Sequence, residues 1–327
     1  MKYTVITGAT GYVGRALTKR LAQEGRALRL VSRSTATNTI DLCATFESVQ
    51  ADLCDVESWL LLLENADAVI HLAARTSLLA AESDPAGDHE LNVAPIYALI
   101  EAARRCNLGI PVIFASTVTI VGIQHSNPVS ETAPDRPCSV YDRHKLECET
   151  ILRNATHKGV IRACSLRLSN VYGYSRDVTP SVNAHRGVLN TNLGRAWRGE
   201  PLRVYGDGNY IRDFIFIEDV VEAFYRALES EQLCDGSQYI IATGMGHTIS
   251  EAYNLVAQKA YQICHRQPEI RYIAEPPNIH PIERRHFVGD SRLFHKLSGW
   301  RAEVDLASGI ATSFTSMLYQ LPQCQGL

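Results

Sequence analysis

The chain has 327 residues, of which 46% are hydrophobic, and its 32 Lys and Arg stand against 35 Asp and Glu, a formal net charge of −3. This length predicts one large α/β unit or two closely joined domains, and the composition excludes an intrinsically disordered chain. The near-neutral charge provides no basic surface for nucleic acid, and no apolar run approaches the roughly 20 residues that a membrane span requires.

The first half of the chain alternates short β-branched segments with longer segments of helical spacing. The predicted strands are Tyr3–Thr7, Leu28–Ser32, Val49–Ala51, Ala68–Leu72, Val112–Ser116 and Ala163–Leu168. The predicted helices are Arg15–Glu24, Val56–Glu64, Val93–Cys106 and Tyr141–Thr156. Strands that are apolar on both faces and separated by helices are typical of a parallel sheet with helices on both sides. We therefore expect a doubly wound (Rossmann) α/β fold, whose ligands bind beyond the carboxyl ends of the strands.

The second half has a different composition. Residues 173–212 are rich in Gly, Asn, Arg and Pro, after which Phe214–Ile217 and the helix Glu218–Leu228 resume the alternating order. We interpret that segment as a return of the chain to the first sheet. The sequence therefore predicts a dinucleotide-binding Rossmann domain and a smaller substrate-binding lobe, formed by residues 1–168 plus 213–246 and by residues 169–212 plus 247–327.

A glycine-rich turn lies between the first predicted strand and the first predicted helix. Gly8, Gly11 and Gly14 stand in a TGxxGxxG pattern. Glycines at this spacing permit a tight turn, let the backbone approach a pyrophosphate and let the helix pack closely on the strand. The helix N-terminus then offers free N–H groups to the phosphates. The pattern predicts a dinucleotide site, and a strand–turn–helix without a ligand is the alternative.

The ends of the second and third strands bear on which dinucleotide binds. NAD sites usually carry Asp or Glu at the end of the second strand, where the carboxylate accepts a hydrogen bond from the ribose 2′-hydroxyl. Here Ser32 and Arg33, followed by Ser34, stand in that place. A guanidinium beside a hydroxyl favours the 2′-phosphate of NADP(H), with NAD(H) possible if Arg33 stacks on adenine or faces solvent. Asp52, after the third strand, is expected at the adenine edge or as a helix cap.

Tyr141 and Lys145 form a YxxxK motif within a predicted helix. Side chains four residues apart share one helix face, so a phenol and an ammonium can act at one site. Free tyrosine has a pKa of about 10, and we expect the ammonium and a cationic nicotinamide to lower the pKa of Tyr141 toward the working range. Because Ser116 and Thr117 end the preceding strand, a hydroxyl there is expected to hydrogen-bond the same substrate oxygen.

Together these motifs resemble the extended short-chain dehydrogenase/reductases, the group of nucleotide-sugar epimerases, dehydratases and 4-ketoreductases. The resemblance runs nearly end to end, and its segments are TGATGYVG at the start, HLAA at 71–74, LNV at 91–93, YDRHK at 141–145, RLSNVYG at 167–173, LRVYGDGNYIRDFIFIEDV at 202–220 and GDSRLFHKLSGW at 289–300. It implies that Tyr141 is the acid/base, that Lys145 binds the nicotinamide ribose, and that Thr117 polarises the reacting oxygen. The further cofactor-binding positions that it implies are Thr10, Tyr12, Val13, Leu53, Leu72, Ala73, Ala74, Asn92 and Leu168.

The same resemblance implies which residues bind a nucleotide sugar. Asn170 matches a position near the substrate diphosphate, Tyr205 one that stacks on the nucleotide base, and Arg212 one that contacts the diphosphate. A planar guanidinium suits phosphate oxygens and an aromatic ring suits a base face. The alternatives are a core strand position for Tyr205 and an ion pair with Asp213 for Arg212. A second phosphate contact is expected from one of two residues, Arg284 or Arg285.

Three reactions of a nucleotide sugar share this arrangement. A 4,6-dehydratase has an Asp-Glu pair after the threonine, whereas Val118 and Thr119 follow Thr117, so dehydration is not expected. Our first prediction is a 4-ketoreductase that uses NADPH on a 4-keto-6-deoxy sugar nucleotide, because Arg33 favours a 2′-phosphate and segments such as YDRHKLECETIL resemble those enzymes. A 4-epimerase with tightly bound NAD is the alternative. A non-catalytic NADP-binding sensor or scaffold is remote, since all three catalytic positions are filled.

The expected partners and location follow from the same observations. The substrate is a nucleotide sugar, and neither nucleic acid nor a membrane is an expected partner. The first residues do not resemble a signal peptide, so we expect a cytoplasmic protein. The eleven histidines show no HxxxH or HxH spacing and the nine cysteines no CxxC, so neither a metal site nor a disulfide framework is expected. The resemblance implies a homodimer formed through the helices Val93–Cys106 and Tyr141–Thr156.

Overall fold

The computed structural model describes residues 1–33, 44–107, 109–124, 128–174 and 187–319. Its central sheet contains the strands β1 (Tyr3–Thr7), β2 (Leu28–Ser32), β3 (Phe46–Gln50), β4 (Ala66–His71), β5 (Pro111–Thr117), β6 (Arg162–Leu168) and β10 (Gln238–Ile241). Their order across the sheet is β10-β6-β5-β4-β1-β2-β3, and every neighbouring pair is parallel. The predicted doubly wound parallel sheet is confirmed.

Helices cover both faces of this sheet. The helices of the described residues are α1 (Tyr12–Gln23), α2 (Val56–Leu63), α3 (Leu78–Ser83), α4 (Pro85–Asn92), α5 (Ala94–Cys106), α6 (Val140–His157), α7 (Val188–Arg198), α8 (Ile217–Glu229), α9 (Ile249–Cys264), α10 (Arg292–Ser298) and α11 (Leu306–Tyr319). Because successive strand residues face opposite sides, Val5 packs with Trp59 and Leu99 on one face of β1, while Ile6 packs with Leu17 on the other. Within the described ranges, no helix has the length and apolarity needed to cross a membrane.

The remaining strands form two small sheets. A three-stranded sheet contains β7 (Asn170–Tyr172), β9 (Ile211–Phe216) and β11 (Gly246–Thr248), and a parallel pair contains β8 (Leu202–Tyr205) and β12 (Ile270–Ile273). The expected return of Phe214–Ile217 to the first sheet is wrong, because β9 pairs with β7 and its Phe214 lies opposite Asn170. The open edge of β6 is instead filled by β10. The division into two lobes stays a prediction.

The order of the central strands fixes where a ligand can enter. β1 and β4 are neighbours although they are far apart in sequence, and the chain winds outward from them in opposite directions. In doubly wound sheets such a reversal opens a crevice at the carboxyl ends of the strands. Gly8 follows β1 and Leu72 follows β4 at this reversal, and Thr117 ends the adjacent β5.

Candidate active site

The glycine turn after β1 has the geometry of a phosphate cradle. Gly8 has a φ of +67°, and a Cβ there would lie 2.8 Å from the amide nitrogen of Ala73. A Cβ on Gly14 would overlap the carbonyl oxygen of Gly8. No side chain caps the N-terminus of α1, where Gly11 is the capping residue and its N–H donates to Gly8. The next N–H groups lack intrahelical acceptors, so this turn fits a pyrophosphate.

The other predicted residues of this turn contribute mainly backbone. The phenol of Tyr12 is buried and donates to the carbonyl of Gly173 at 2.6 Å, and burial raises its pKa. Val13 packs against the hydrophobic core, and the carbonyl of Thr10 accepts from Nε of Arg15 at 3.1 Å. Tyr12 therefore ties the turn to the strand end at Gly173, and only its amide belongs to the cradle.

The loop after β4 is held in place by Thr7. Its Oγ1 accepts from the N–H groups of Leu72 and Ala73, both at 3.2 Å, and lies 3.0 Å from Nδ1 of the buried His71. Because both lone pairs of the hydroxyl are engaged, its proton points to His71. Burial and the charge of Lys145 lower the pKa of His71 to about 3, so the ring is neutral and can accept that proton. The predicted segment Leu72–Ala74 therefore has a fixed backbone facing the glycine turn.

Asn92 supports the continuation of this loop. Its Oδ1 accepts from the N–H of Arg75 at 2.8 Å, and its Nδ2 donates to the carbonyl of Arg75 and to Oδ2 of Asp88, both at 3.0 Å. The side chain is 2% exposed and has one bond to each backbone group of Arg75. Asn92 therefore positions the backbone that follows Ala74, and its role as a cofactor-binding residue stays a prediction.

The end of β2 presents Arg33 to solvent. Arg33 is exposed, its carbonyl accepts from the side chain of Gln50 at 3.2 Å, and its guanidinium has no hydrogen bond or ion pair within the described part of the chain. Ser32 is half-buried at the last position of the strand, and Ser34 lies outside the described residues. This arrangement leaves a cation at the edge where the adenosine ribose of a dinucleotide would lie.

Asp52 lies near the same edge. It is exposed, and its Oδ1 accepts from the N–H of Cys54 at 2.9 Å. The helix-capping alternative for Asp52 is wrong, because α2 is capped by Asp55, which accepts from the first N–H groups of that helix. Leu53 is half-buried, and its carbonyl accepts from the indole of Trp59 at 2.8 Å.

The three predicted catalytic residues lie on two adjoining elements. Thr117 is the last residue of β5, and Tyr141 and Lys145 lie in the first two turns of α6. Nζ of Lys145 donates to the carbonyl of Ala115 at 2.8 Å and lies 5.9 Å from the centre of the Tyr141 ring. This lysine is 3% exposed, and burial lowers its pKa. The hydrogen bond of Lys145 to Ala115 therefore holds α6 against the end of β5. Leu168, at the end of the next strand, is half-buried beside them.

The protein's own groups do not lower the pKa of Tyr141 as expected. Burial raises the pKa of this phenol, and the carboxylates of Asp142 and Asp88 raise it further. The ammonium of Lys145 is directed instead at the carbonyl of Ala115. The phenol is consequently protonated at neutral pH and presents a hydrogen-bond donor.

Two residues beside this trio went unrecognised in the sequence. The hydroxyls of Thr117 and Thr119 are 2.8 Å apart, and the hydroxyl of Thr119 donates to Oδ1 of Asp142. Asp142 is completely buried and also forms a capping box with Ser139 at the start of α6. The Ser-x-x-Asp spacing was the available signal for the cap, but no local pattern signals a contact across 23 residues.

A buried ion network lies under the same strand end. The guanidinium of Arg167 lies 2.6 Å from Glu149 and 2.7 Å from Asp135, and Arg167 and Glu149 are each 1% exposed. The hydroxyl of Ser116 donates to Glu149. This network joins β5, β6 and α6. In the sequence, the spacing of Glu149 four residues after Lys145 indicates only that Glu149 lies on the same face of α6 as Lys145.

Arg212 and Arg285 form a second buried basic cluster. Arg212 is 2% exposed and donates to backbone carbonyls, including that of Arg285, while burial and Arg285 lower its pKa to about 9. Arg285 is 6% exposed and donates to the carbonyl of Ile282 and, at 3.4 Å, to Oδ1 of Asn170. Its Nε is buried with no partner among the described residues. The nearest carboxylate to Arg212, that of Glu283, is 3.9 Å away. Two buried cations without a hydrogen-bonded carboxylate form a site for an anion.

The structure also separates the alternatives for the predicted substrate residues. Arg284 is largely exposed and lies 2.9 Å from Glu275, so Arg285 is the arginine that reaches Asn170. An ion pair between Arg212 and Asp213 is wrong, because Asp213 accepts from the backbone N–H groups of a separate loop. The core alternative for Tyr205 is also wrong, since the ring is 44% exposed at the end of β8.

Comparison with known proteins identifies the family. Residues 4–242 match the model described as the NAD dependent epimerase/dehydratase family. The chain belongs to this family. It is an enzyme of the extended short-chain dehydrogenase/reductase type, as its motifs predicted, and its activity is of the nucleotide-sugar epimerase/dehydratase class.

The NAD dependent epimerase/dehydratase family includes similar proteins of nearly the same length. The UDP-glucose 4-epimerase of Mycolicibacterium smegmatis is 29% identical and aligns over 94% of this chain and 96% of that protein. The structure of a UDP-glucose 4-epimerase with UDP-glucose from Thermotoga maritima has 25% identity and a TM-score of 0.84, covering 98% of this chain and 100% of that one. A Thermus thermophilus UDP-glucose 4-epimerase in complex with NAD has 26% identity and a TM-score of 0.82, covering 98% and 100%.

Proposed function

We propose that this enzyme is a nucleotide-sugar 4-epimerase that retains NAD. The observation that carries the substrate class is the buried pair Arg212 and Arg285, which hydrogen-bonds no carboxylate among the described residues and therefore suits a diphosphate. The cluster lies close to the end of β5, since Arg285 donates to Asn170, two residues beyond Leu168, and Leu168 lies opposite Thr117. The names of the similar proteins support epimerisation over the ketoreductase that the sequence suggested first. Some similar proteins are named dTDP-glucose 4,6-dehydratases, but we do not propose dehydration, because neither Val118 nor Thr119 is an acid.

The residues of the chain divide into those that hold the substrate and those that act at C4. Arg285, Arg212 and Asn170 bind the diphosphate, and the exposed ring of Tyr205 stacks on the base. When C4 is oxidised, the proton of its hydroxyl would pass to the deprotonated Oη of Tyr141, and when C4 is reduced the same phenol would return it; a bound cationic nicotinamide would favour the phenolate. The hydroxyl of Thr117 makes the second contact to the C4 oxygen.

A nicotinamide dinucleotide fits the cradle at Gly8, Gly11 and Gly14. When bound, it supplies the hydride acceptor and donor for C4. The backbone N–H groups after Gly11 hold its pyrophosphate, and Lys145 contacts the nicotinamide ribose. The Thermus thermophilus relative with NAD supports NAD, whereas Arg33 supports NADP(H). We propose NAD, because an epimerase must keep its cofactor through both half-reactions.

Release of the bound nucleotide tests this proposal. The freshly purified enzyme is denatured, and any released dinucleotide is identified and quantified by chromatography. We expect about one NAD per chain and, in the native enzyme, interconversion of UDP-glucose with its C4 epimer without added cofactor. An empty protein that consumes added NADPH with a 4-keto-6-deoxy sugar nucleotide would restore the ketoreductase. Tyr141→Phe is the matched control, and it should retain the nucleotide but lose turnover by roughly a hundredfold or more.

We also propose that two copies associate through α5 and α6. Tyr97 on α5 is 52% exposed and donates to Glu147 on α6 at 3.4 Å, next to the exposed Arg143 and Thr150. Tyr97 therefore presents an exposed aromatic ring on the surface that α5 and α6 form together. Aromatic residues are enriched at protein–protein interfaces, which supports association of two copies through this surface. Light scattering should give a mass of two chains at micromolar concentration, and Tyr97→Asp should reduce it to one. A mass of one chain for the unaltered protein would contradict the dimer.

A further inference from the structure

A histidine–aspartate pair joins α4 to α6, the helix that carries Tyr141 and Lys145. Nδ1 of His144 lies 2.7 Å from Oδ2 of Asp88, and Asp88 has no exposed surface. The same oxygen accepts from Nδ2 of Asn92 at 3.0 Å. Both contacts use the carboxyl group of Asp88 as an acceptor, which is the role of its ionised form. The pair therefore places a negative charge inside the protein, between two helices.

The charge of Asp88 acts on the catalytic tyrosine. Tyr141 and His144 are three residues apart on α6, so they share the helix face to which α4 presents Asp88. Burial raises the pKa of Tyr141, and the charges of Asp142 and Asp88 raise it further. A negative charge beside a phenol opposes loss of the phenolic proton. Asp88 therefore disfavours the phenolate of Tyr141 from a neighbouring helix.

His144 is able to cancel this charge. A carboxylate only accepts, so Nδ1 of His144 carries the proton that it donates to Asp88. The side chain of His144 is 13% exposed, so Nε2 can take up a second proton from solvent. With that proton the pair is neutral, and without it the pair has a net negative charge. Histidine is the side chain whose charge changes between about pH 5 and 8.

We propose that Asp88 and His144 are positioning residues which together set the pH at which Tyr141 accepts the C4 proton of the substrate. This proposal rests on the proposed function, because it requires Tyr141 to be the acid/base of a nucleotide-sugar reaction. When C4 is oxidised, its hydride leaves for the bound dinucleotide and its hydroxyl proton moves to Oη of Tyr141. When C4 is reduced, both return. The ionised Asp88 opposes the phenolate that takes this proton, and a protonated His144 removes the opposition.

The neighbouring ionisable groups provide a control. Among the described residues, those near this part of α6 are His71 of β4, Glu82 of α3, His89 of α4, Tyr97 of α5, Arg167 of β6, Arg285 and, on α6 itself, Asp142, Lys145, Glu147, Cys148 and Glu149. Of the two histidines, His71 stays neutral, because burial and Lys145 lower its pKa to about 3. The ring of His89 is 5.3 Å from that of His144, but its Nε2 faces Glu147 and its side chain is 43% exposed, so solvent screens its charge.

Two substitutions change the charges of the pair and keep its hydrogen bond. In Asp88→Asn the amide oxygen replaces Oδ2 as the acceptor, and the amide nitrogen replaces Oδ1, which has no partner among the described residues. In His144→Asn the amide nitrogen replaces Nδ1 as the donor to Asp88 but cannot gain a charge. The two variants should therefore act on Tyr141 in opposite directions, whereas loss of packing would not give opposite signs.

The first experiment follows the ionisation of Tyr141 without turnover. The holoenzyme is labelled with carbon-13 at Cζ of tyrosine, the resonance of Tyr141 is identified as the one that Tyr141→Phe lacks, and its chemical shift is measured against pH. We expect Asp88→Asn to move this titration to lower pH and His144→Asn to move it to higher pH, each by roughly one pH unit. His89→Gln, the matched control, should leave it in place. Shifts of the same sign, or a shift in only one of the two variants, would overturn the proposal.

The second experiment joins the pair to the reaction. Because His144 acts through Asp88, adding His144→Asn to Asp88→Asn should move the titration no further. The pH profile of kcat/KM for the epimerisation of UDP-glucose should shift in each variant as the titration does. Identical profiles in an active epimerase would overturn the role of the pair. The expected titrations in a protein that does not epimerise nucleotide sugars would instead overturn the proposed function.

Discussion

Two groups of buried arginine side chains lie near the catalytic helix, and they differ in what surrounds them. Arg167 is 1% exposed and contacts the carboxylates of Glu149 and Asp135. Arg212 and Arg285 are nearly as buried, but they contact backbone carbonyls and the amide of Asn170. A buried charge must be paired or it is costly, so the first group is complete within the protein, whereas the second hydrogen-bonds no carboxylate among the described residues. This difference supports our proposal that arginine serves the fold in one place and the substrate in the other.

The largest expected effect is the loss of stability on replacement of Arg167, which is paired with two carboxylates. Arg167→Met should lower the free energy of unfolding by about 3–5 kcal/mol, because it leaves Glu149 buried without its partner. Urea denaturation followed by circular dichroism measures this change. The matched control is Arg271→Met, which removes an exposed ion pair with Glu269 and should leave the unfolding midpoint unaltered. Equal midpoints for the two variants would show that the Arg167 network is not structural.

Replacement of Arg285 should not lower the free energy of unfolding, in contrast to replacement of Arg167. Arg285→Met removes a buried cation that hydrogen-bonds no carboxylate among the described residues, so the free energy of unfolding should hold or rise. The affinity for UDP should fall by about tenfold to a hundredfold, the value of one charge-assisted hydrogen bond. Calorimetric titration measures the affinity, with Arg284→Met as the neighbour that should change nothing. A loss of stability with unaltered UDP affinity would reverse the assignment of this cluster.

A variant at Tyr205 distinguishes binding of the nucleotide base from binding of the diphosphate. Tyr205→Ala should weaken UDP binding by about 1–3 kcal/mol through lost stacking, and it should not affect binding of inorganic pyrophosphate. Competition binding with the two ligands distinguishes these effects. If pyrophosphate binding also weakened, Tyr205 would be a packing residue of the basic cluster, and the base would lie elsewhere.

The smallest expected effect is on UDP affinity when Asn170, the uncharged residue beside the two arginines, is replaced. Asn170→Ala removes the acceptor of a 3.4 Å hydrogen bond from Arg285 but no charge. UDP affinity should fall by about 0.5–1.5 kcal/mol, and the free energy of unfolding should change little. Calorimetric titration beside Arg285→Met gives the comparison. A larger loss than that of Arg285→Met would make Asn170 the principal contact.

The parts of this molecule that the sequence predicted are those with local patterns. The glycine turn, the YxxxK helix and the alternating strands each lie within one short window, and the structure has them close to the expected positions, although the third strand is Phe46–Gln50 rather than the predicted Val49–Ala51. The strand at Phe214 was assigned to the wrong sheet, because an apolar run gives burial but not the identity of the neighbouring strand. Likewise, Arg284 and Arg285 are indistinguishable as adjacent letters, and only the turn that they share directs one inward.

The hydrogen bond between Thr119 and Asp142 and the ion network of Arg167 were not predicted for a related reason. Thr119 and Asp142 are 23 residues apart, and Ser116 and Glu149 are 33 apart. Contacts of this kind depend on how α6 packs against β5, which no periodicity encodes. The raised pKa of Tyr141 has the same origin, because burial and the carboxylate of Asp88 on α4 determine it.

The fate of the hydrogen at C4 distinguishes epimerisation from the other reactions. UDP-glucose that carries deuterium at C4 is incubated with the holoenzyme in ordinary water without added cofactor, and the products are examined by NMR. We expect the C4 epimer with deuterium retained at C4, because the same hydride leaves and returns within one site. If no epimer forms, or if the epimer has lost its deuterium, the protein is not a 4-epimerase of this kind.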